Sequence, residues 1–199
     1  MRNTFITLSL GTMALWVTGA SCLPPDNEEP VVFSDSFETG LAAWTQGSDV
    51  PEDPNNPGQP VAWSIEQSDV QAEDGQYSAE FYLDGQQDDG TIWLVREFDV
   101  TAGRTYAVTL SFSLWSETES FNTLAKVAVY AGGKAPAAEA DFNVDMAANE
   151  VAGWKTYTYM ADATATSNGK IRVAFGISAV FETEMTYYID DVEIEISPR

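Results

Sequence analysis

The sequence predicts an all-β protein, an antiparallel β-sandwich of roughly eight to nine strands. Short runs rich in Val, Ile, Phe, Tyr and Thr alternate apolar with polar residues, and turn signals punctuate them at close intervals. No stretch of usable length carries the period of a helix. Successive strand side chains point to opposite faces, so alternation marks a sheet with one face on the core and the other toward solvent.

Nine segments fit, at 31–37, 63–67, 77–83, 92–100, 106–115, 124–130, 154–160, 171–180 and 187–196. Asp74-Gly75, Asp84-Gly85, Ala102-Gly103, Gly132-Gly133 and Asn168-Gly169 separate several of them as turns. In 106–115, Tyr106, Val108, Leu110, Phe112 and Leu114 share one face, while Ala107, Thr109, Ser111, Ser113 and Trp115 share the other. In 77–83, Tyr77, Ala79, Phe81 and Leu83 oppose Ser78, Glu80 and Tyr82. Ala125, Val127 and Val129 oppose Lys126, Ala128 and Tyr130, and Ile171, Val173, Phe175 and Ile177 oppose Arg172, Ala174, Gly176 and Ser178. Residues 46–60 carry Pro51, Pro54, Pro57 and Pro60 and read as a long solvated loop, not as a central strand.

The last segment holds one residue out of place. Val192, Ile194 and Ile196 form its apolar face and Asp191, Glu193 and Glu195 its polar face, yet Asp190 shares the apolar parity. A carboxylate on a buried face is costly unless hydrogen-bonded, paired or bound to a cation.

Charge and length bound the rest. The 199 residues suffice for one folded domain, and 9 Lys+Arg against 31 Asp+Glu give a net charge of −22. That balance repels phosphate backbones and excludes nucleic acid as a partner, but it suits cations or neutral ligands such as glycans. The chain has no histidine and one cysteine, which rules out Ser-His-Asp and Cys-His catalysis and any intrachain disulfide. No spacing singles out a catalytic pair among the many acids, so a binding module is expected rather than an enzyme.

The N-terminus reads as an export signal. Arg2 precedes an apolar run from Phe5 to Val17 that is short for a membrane span, and Gly19-Ala20-Ser21-Cys22 follows. This segment resembles a bacterial lipoprotein signal, which implies cleavage before Cys22 and its acylation; Gly19 stands where an aliphatic residue is usual. The expected organisation is a signal at 1–21, an acidic, Pro-rich tether at 22–30 and the sandwich at 31–199. The resemblance puts the domain on the bacterial cell envelope, facing outside the cytoplasm and touching the membrane only through its N-terminal lipid, or secreted if the signal is an ordinary one.

A wider resemblance spans nearly all of 31–196. It rests on Phe33-Ser34-Asp35-Ser36-Phe37-Glu38, on Glu73-Asp74-Gly75-Gln76-Tyr77-Ser78, on Phe98-Asp99-Val100-Thr101-Ala102-Gly103-Arg104, and on Tyr188-Ile189-Asp190-Asp191-Val192. This order resembles the galactose-binding-like jelly rolls, especially the carbohydrate-binding modules appended to cellulases and xylanases. The resemblance implies a structural calcium ion held by Glu38, Glu73 or Asp74, backbone near Gln76, and Asp190. It also implies a polysaccharide or surface glycan as partner. Sugars stack on aromatic platforms beside polar side chains, and the outward parity set offers Trp115, Tyr130 and Tyr82 with Glu80 and Arg172. Trp44 matches a position that is usually core. The segment Trp93-Leu94-Val95-Arg96-Glu97-Phe98-Asp99-Val100 also resembles adhesin-type jelly rolls, which implies the rival reading of a structural or adhesive domain with an envelope protein as partner.

Overall fold

A computed structural model describes residues 28–117 and 124–199. The expected export signal, Cys22 and the expected tether up to residue 27 lie outside the described residues. Eleven strands run in chain order: β1 (Val31–Asp35), β2 (Thr45–Asp49), β3 (Trp63–Ser68), β4 (Ser78–Asp84), β5 (Thr91–Asp99), β6 (Thr105–Ser116), β7 (Ala125–Gly132), β8 (Asn143–Ala147), β9 (Gly153–Thr164), β10 (Lys170–Ala179) and β11 (Glu184–Pro198). They form two antiparallel sheets. One has the order β3-β4-β11-β6-β9 with β1 also on β11; the other has the order β2-β5-β10-β7-β8.

All nine predicted segments are strands, and β2 and β8 are additional. The expectation of a loop over residues 46–60 is corrected at its start, where β2 pairs with β5 from Thr45 to Asp49. β2 carries no apolar residue, and β8, with Val144 and Met146 set between Asn143 and Asp145, alternates over only four residues on a broken ladder with β7, too short a run to stand out in the sequence. Both are sheet edges, where half the backbone groups face outward and polar strands are tolerated.

The core lies between the sheets, built from the apolar parity sets. Phe175 of β10 is its aromatic hub, with ring centres 5.0 Å from Trp44, 5.2 Å from Phe112 and 6.4 Å from Phe81. Trp44 is core, as its position implied, and its indole N–H donates to Asp35 Oδ2 at 2.8 Å.

β11 joins both halves of the larger sheet and changes face along its length. Met185, Tyr187 and Ile189 point into the core before Asp190, whereas Val192, Ile194 and Ile196 do so after it. The register against β6 slips between Asp190 and Glu193, and Asp191 takes the left-handed backbone at φ 50°. This β-bulge inserts one residue and exchanges the faces. Asp190 is fully buried, as its parity suggested, but the face is corrected: it pairs with outward-facing Ser113 and is covered from outside by a loop.

Candidate functional site

That covering loop runs between β3 and β4 and is held by two carboxylates from distant parts of the chain. Asp190 Oδ2 accepts the amides of Glu73 at 2.8 Å and Asp74 at 2.9 Å, and its Oδ1 accepts Asp191 N–H at 2.7 Å. Glu38 Oε1 accepts the amides of Gln76 and Tyr77, each at 2.8 Å. Burial pushes the Asp190 carboxyl above the ordinary carboxylate range, while the amides of Asp74, Asp191 and Glu73 pull it back.

Glu38 and Asp190 hold the loop that carries Glu73 and Asp74, but Glu73 and Asp74 reach Asp190 through their backbone amides and not their carboxylates, and such a donor set does not fit calcium. A hard cation needs carbonyl and carboxylate oxygens turned inward. Here the loop turns four amide N–H groups toward Asp190 Oδ2 and Glu38 Oε1. The adjoining hollow of about 370 Å³ is lined by Asp35, Glu38, Asp74, Asp191 and Glu193. Among the described residues, no three acids converge as a ligand set.

Gly75 is what allows the close approach. It sits at φ +74°, and a Cβ there would land on the Glu38 carboxylate. Gly75→Ala is expected to lower stability by roughly 1–3 kcal/mol, the strain of a left-handed non-glycine plus a displaced carboxylate. A thermal melt of the variant measures it.

Above the loop, the outer face of the larger sheet carries a continuous row in register. Glu66 of β3 lies opposite Glu80 of β4, Glu80 opposite Tyr188 of β11, Tyr188 opposite Trp115 of β6, and Trp115 opposite Trp154 of β9. Four strand spacings make this row about 19 Å long. Tyr188 meets Trp115 edge to face at 5.5 Å between ring centres. Tyr82 stands one pair along from Glu80, opposite Thr186. Burial raises the Tyr188 and Tyr82 hydroxyls above the usual tyrosine range, with nearby carboxylates adding to the effect.

Trp115, Tyr82 and Glu80, predicted from outward parity, thus share one face. Sequence reasoning missed Trp154 and Tyr188. Trp154 was recoverable, since it alternates with Thr156, Thr158 and Met160; Tyr188 was hidden by the bulge.

Tyr130 and Arg172 do not join them. Both lie on the outer face of the smaller sheet, which is covered by the segment between β7 and β8. Phe142 packs there at 5.0 Å from Trp93 and 6.0 Å from Tyr130. The Tyr130 hydroxyl donates to Lys134 O at 2.7 Å, and Arg172 donates to Gly133 O and to Glu97. Glu139 fastens the same segment, accepting hydroxyls of buried Thr91 at 2.7 Å and Ser178 at 3.0 Å. The sheet's outward apolar residues are filled by its own chain.

No family model and no curated protein matches this chain. Solved structures do, at low identity. One, described as a structural basis for promiscuous specificity of carbohydrate-binding modules from the β-sandwich superfamily, is 14% identical with a TM-score of 0.50, covering 79% of this chain and 59% of its own. A module, TmCBM61, solved with β-1,4-galactotriose is 17% identical with a TM-score of 0.47, over 80% of this chain and 92% of its own. The K3 cleaved adhesin domain of Lys-gingipain from Porphyromonas gingivalis is 16% identical with a TM-score of 0.48, over 84% of this chain and 99% of its own. The chain has the β-sandwich fold, and carbohydrate-binding modules are among its structural neighbours.

Proposed function

We propose that this domain is a non-catalytic glycan-binding module whose ligand lies along the outer face of the larger sheet, and that acylation of Cys22 holds it at the cell envelope. The register row carries the reading: partly exposed Trp115 and Trp154 stand side by side on adjacent strands, backed by buried Tyr188, with Tyr82 flanking and Glu80 supplying a polar partner. Pyranose rings present an apolar face to aromatic rings and hydroxyls to carboxylates. The β-sandwich likeness to a carbohydrate-binding module supports the reading at the level of fold alone.

The test is binding of neutral plant and microbial polysaccharides by affinity electrophoresis, with Trp115→Ala as the decisive variant. At least one polysaccharide is expected to retard the wild-type domain, and Trp115→Ala is expected to weaken that binding about tenfold or more, equivalent to about 1.4 kcal/mol. Binding unchanged by Trp115→Ala defeats the platform. Capture of an envelope protein without any glycan binding favours the adhesive alternative.

A further inference from the structure

The tether expected over residues 22–30 is not free at its inner end. Glu28 lies against the turn between β5 and β6. Its Oε1 accepts the hydroxyl of buried Tyr106 at 2.6 Å, and its Oε2 accepts the Arg104 guanidinium at 3.0 Å. The Thr101 amide approaches the same Oε1 at 3.4 Å and donates to the Tyr106 hydroxyl at 2.8 Å. Three residues on, Val31 opens β1 against Ile196. The chain is thus fixed at two points, and a carboxylate met by charge-assisted bonds sets where it leaves the sandwich. That exit lies at one pole. The β5–β6 turn is bonded there to the β9–β10 turn, through Gly103 N–H to Thr166 O at 3.1 Å and Val100 N–H to Gly169 O at 2.9 Å. Trp115 stands ten residues along β6 from Thr105, about 34 Å away, with Trp154 opposite it. Charge divides the same way. At the near pole Arg104, Lys170 and Arg199 form ion pairs with Glu28, Asp99 and Asp162. At the far pole the connections at 85–90 and 180–183 carry Asp88, Asp89 and Glu182 and no basic residue.

From this clasp we infer that the domain stands upright on the envelope lipid, with the β5–β6 and β9–β10 turns facing the membrane and the Trp115–Trp154 platform at the end away from it. The inference rests on the acylation of Cys22 proposed above and adds the orientation that Glu28 imposes. Six residues separate Cys22 from Glu28, and a chain that long reaches at most about 22 Å. With Glu28 bound, the near pole cannot rise further than that from the lipid, while anionic headgroups repel the acids of the far pole. Without the clasp the free span runs nine residues, from Cys22 to Val31, and reaches about 32 Å. That is nearly the length of β6, so the sandwich can then lie on its side with the platform against the lipid.

Energy transfer to acceptor-labelled lipid headgroups tests this, in vesicles of phosphatidylcholine and phosphatidylglycerol carrying the full, acylated chain. Acylation occupies the thiol of Cys22, the chain's one cysteine, so an introduced cysteine carries the only reactive thiol. Exposed Ser167 in the β9–β10 turn and exposed Glu182 at the far pole are the two labelling positions, as Ser167→Cys and Glu182→Cys. The labels differ in height by about the length of β6, so transfer from Ser167→Cys is expected to be at least about threefold that from Glu182→Cys. Glu28→Ala, which alters no residue of either sheet, is expected to bring the two efficiencies close together. Equal transfer in the acylated chain with Glu28 in place overturns the upright orientation and leaves the anchor standing. A threefold ratio that survives Glu28→Ala overturns the clasp as its cause. A chain that stays out of the vesicles with Cys22 unmodified, as its intact mass shows, removes the anchor and the inference together.

Discussion

Asp190→Ala is expected to lower the stability of the domain by roughly 2–3 kcal/mol, read as a fall of about 5–10 °C in the melting midpoint. The variant leaves the amides of Glu73, Asp74 and Asp191 without their acceptor and releases the loop that covers the bulge. The loop itself is exposed, so its freed amides find water, and that keeps the cost below the penalty for three buried orphan donors. Asp190→Asn separates shape from charge. Its amide oxygen replaces one acceptor, but its NH₂ group faces a donor, so an intermediate loss is expected.

The pH dependence of the same residue has a definite sign. Its carboxyl titrates above the ordinary range in the folded state, so the native domain holds that proton more readily than the unfolded chain does. The stability it contributes is complete below the unfolded value and declines as pH rises through the native one. The margin of wild type over Asp190→Asn is therefore expected to shrink as pH rises through the carboxylate range. Because backbone amides already occupy both oxygens of Asp190 and Oε1 of Glu38, added calcium or a chelator is expected to leave the wild-type midpoint unchanged. A chelator-induced fall would show that a cation replaces some of those bonds.

Alternation made most of the fold legible. Strands such as β6, with Tyr106, Val108, Leu110, Phe112 and Leu114 on one side, report both their existence and their core face. β2 is invisible to that signal because an edge strand needs little apolar content and Thr45 to Asp49 has none, and the alternation of β8, Val144 and Met146 between Asn143 and Asp145, is too short to stand out. The buried carboxylate was legible as an anomaly, yet its face was not. Tyr187, Tyr188 and Ile189 are three apolar residues in succession, so a strict two-residue count has nothing there to mark a bulge.

The candidate site divided for a related reason. Parity says that a side chain points outward, not which of two sheets it points outward from. Trp115, Tyr82 and Glu80 fell on the larger sheet, whereas Tyr130 and Arg172 fell on the smaller one beneath the Phe142 segment. The covering of that second face depends on contacts across long stretches of chain, such as Glu139 with Thr91 and Ser178, which no local pattern announces.

Phe175→Ala is expected to produce the largest loss of stability, about 3–5 kcal/mol, because it removes the ring that touches Trp44, Phe81 and Phe112 at once. Phe175→Leu keeps most of the volume and is expected to cost under about 1.5 kcal/mol. Neither change touches the outer row. Phe81 and Phe112 face inward on the same strands that carry Tyr82, Glu80 and Trp115 outward, so hub and platform occupy opposite sides of one sheet. Glycan affinity measured well below the melting midpoint is therefore expected to be unchanged in Phe175→Leu, and Trp115→Ala is expected to lose affinity with little change in midpoint. If the Phe175 variants lost affinity in proportion to stability, the row would depend on how the sheet packs beneath it. If they kept it, recognition would reside in the register of five strands and the side chains those strands hold outward.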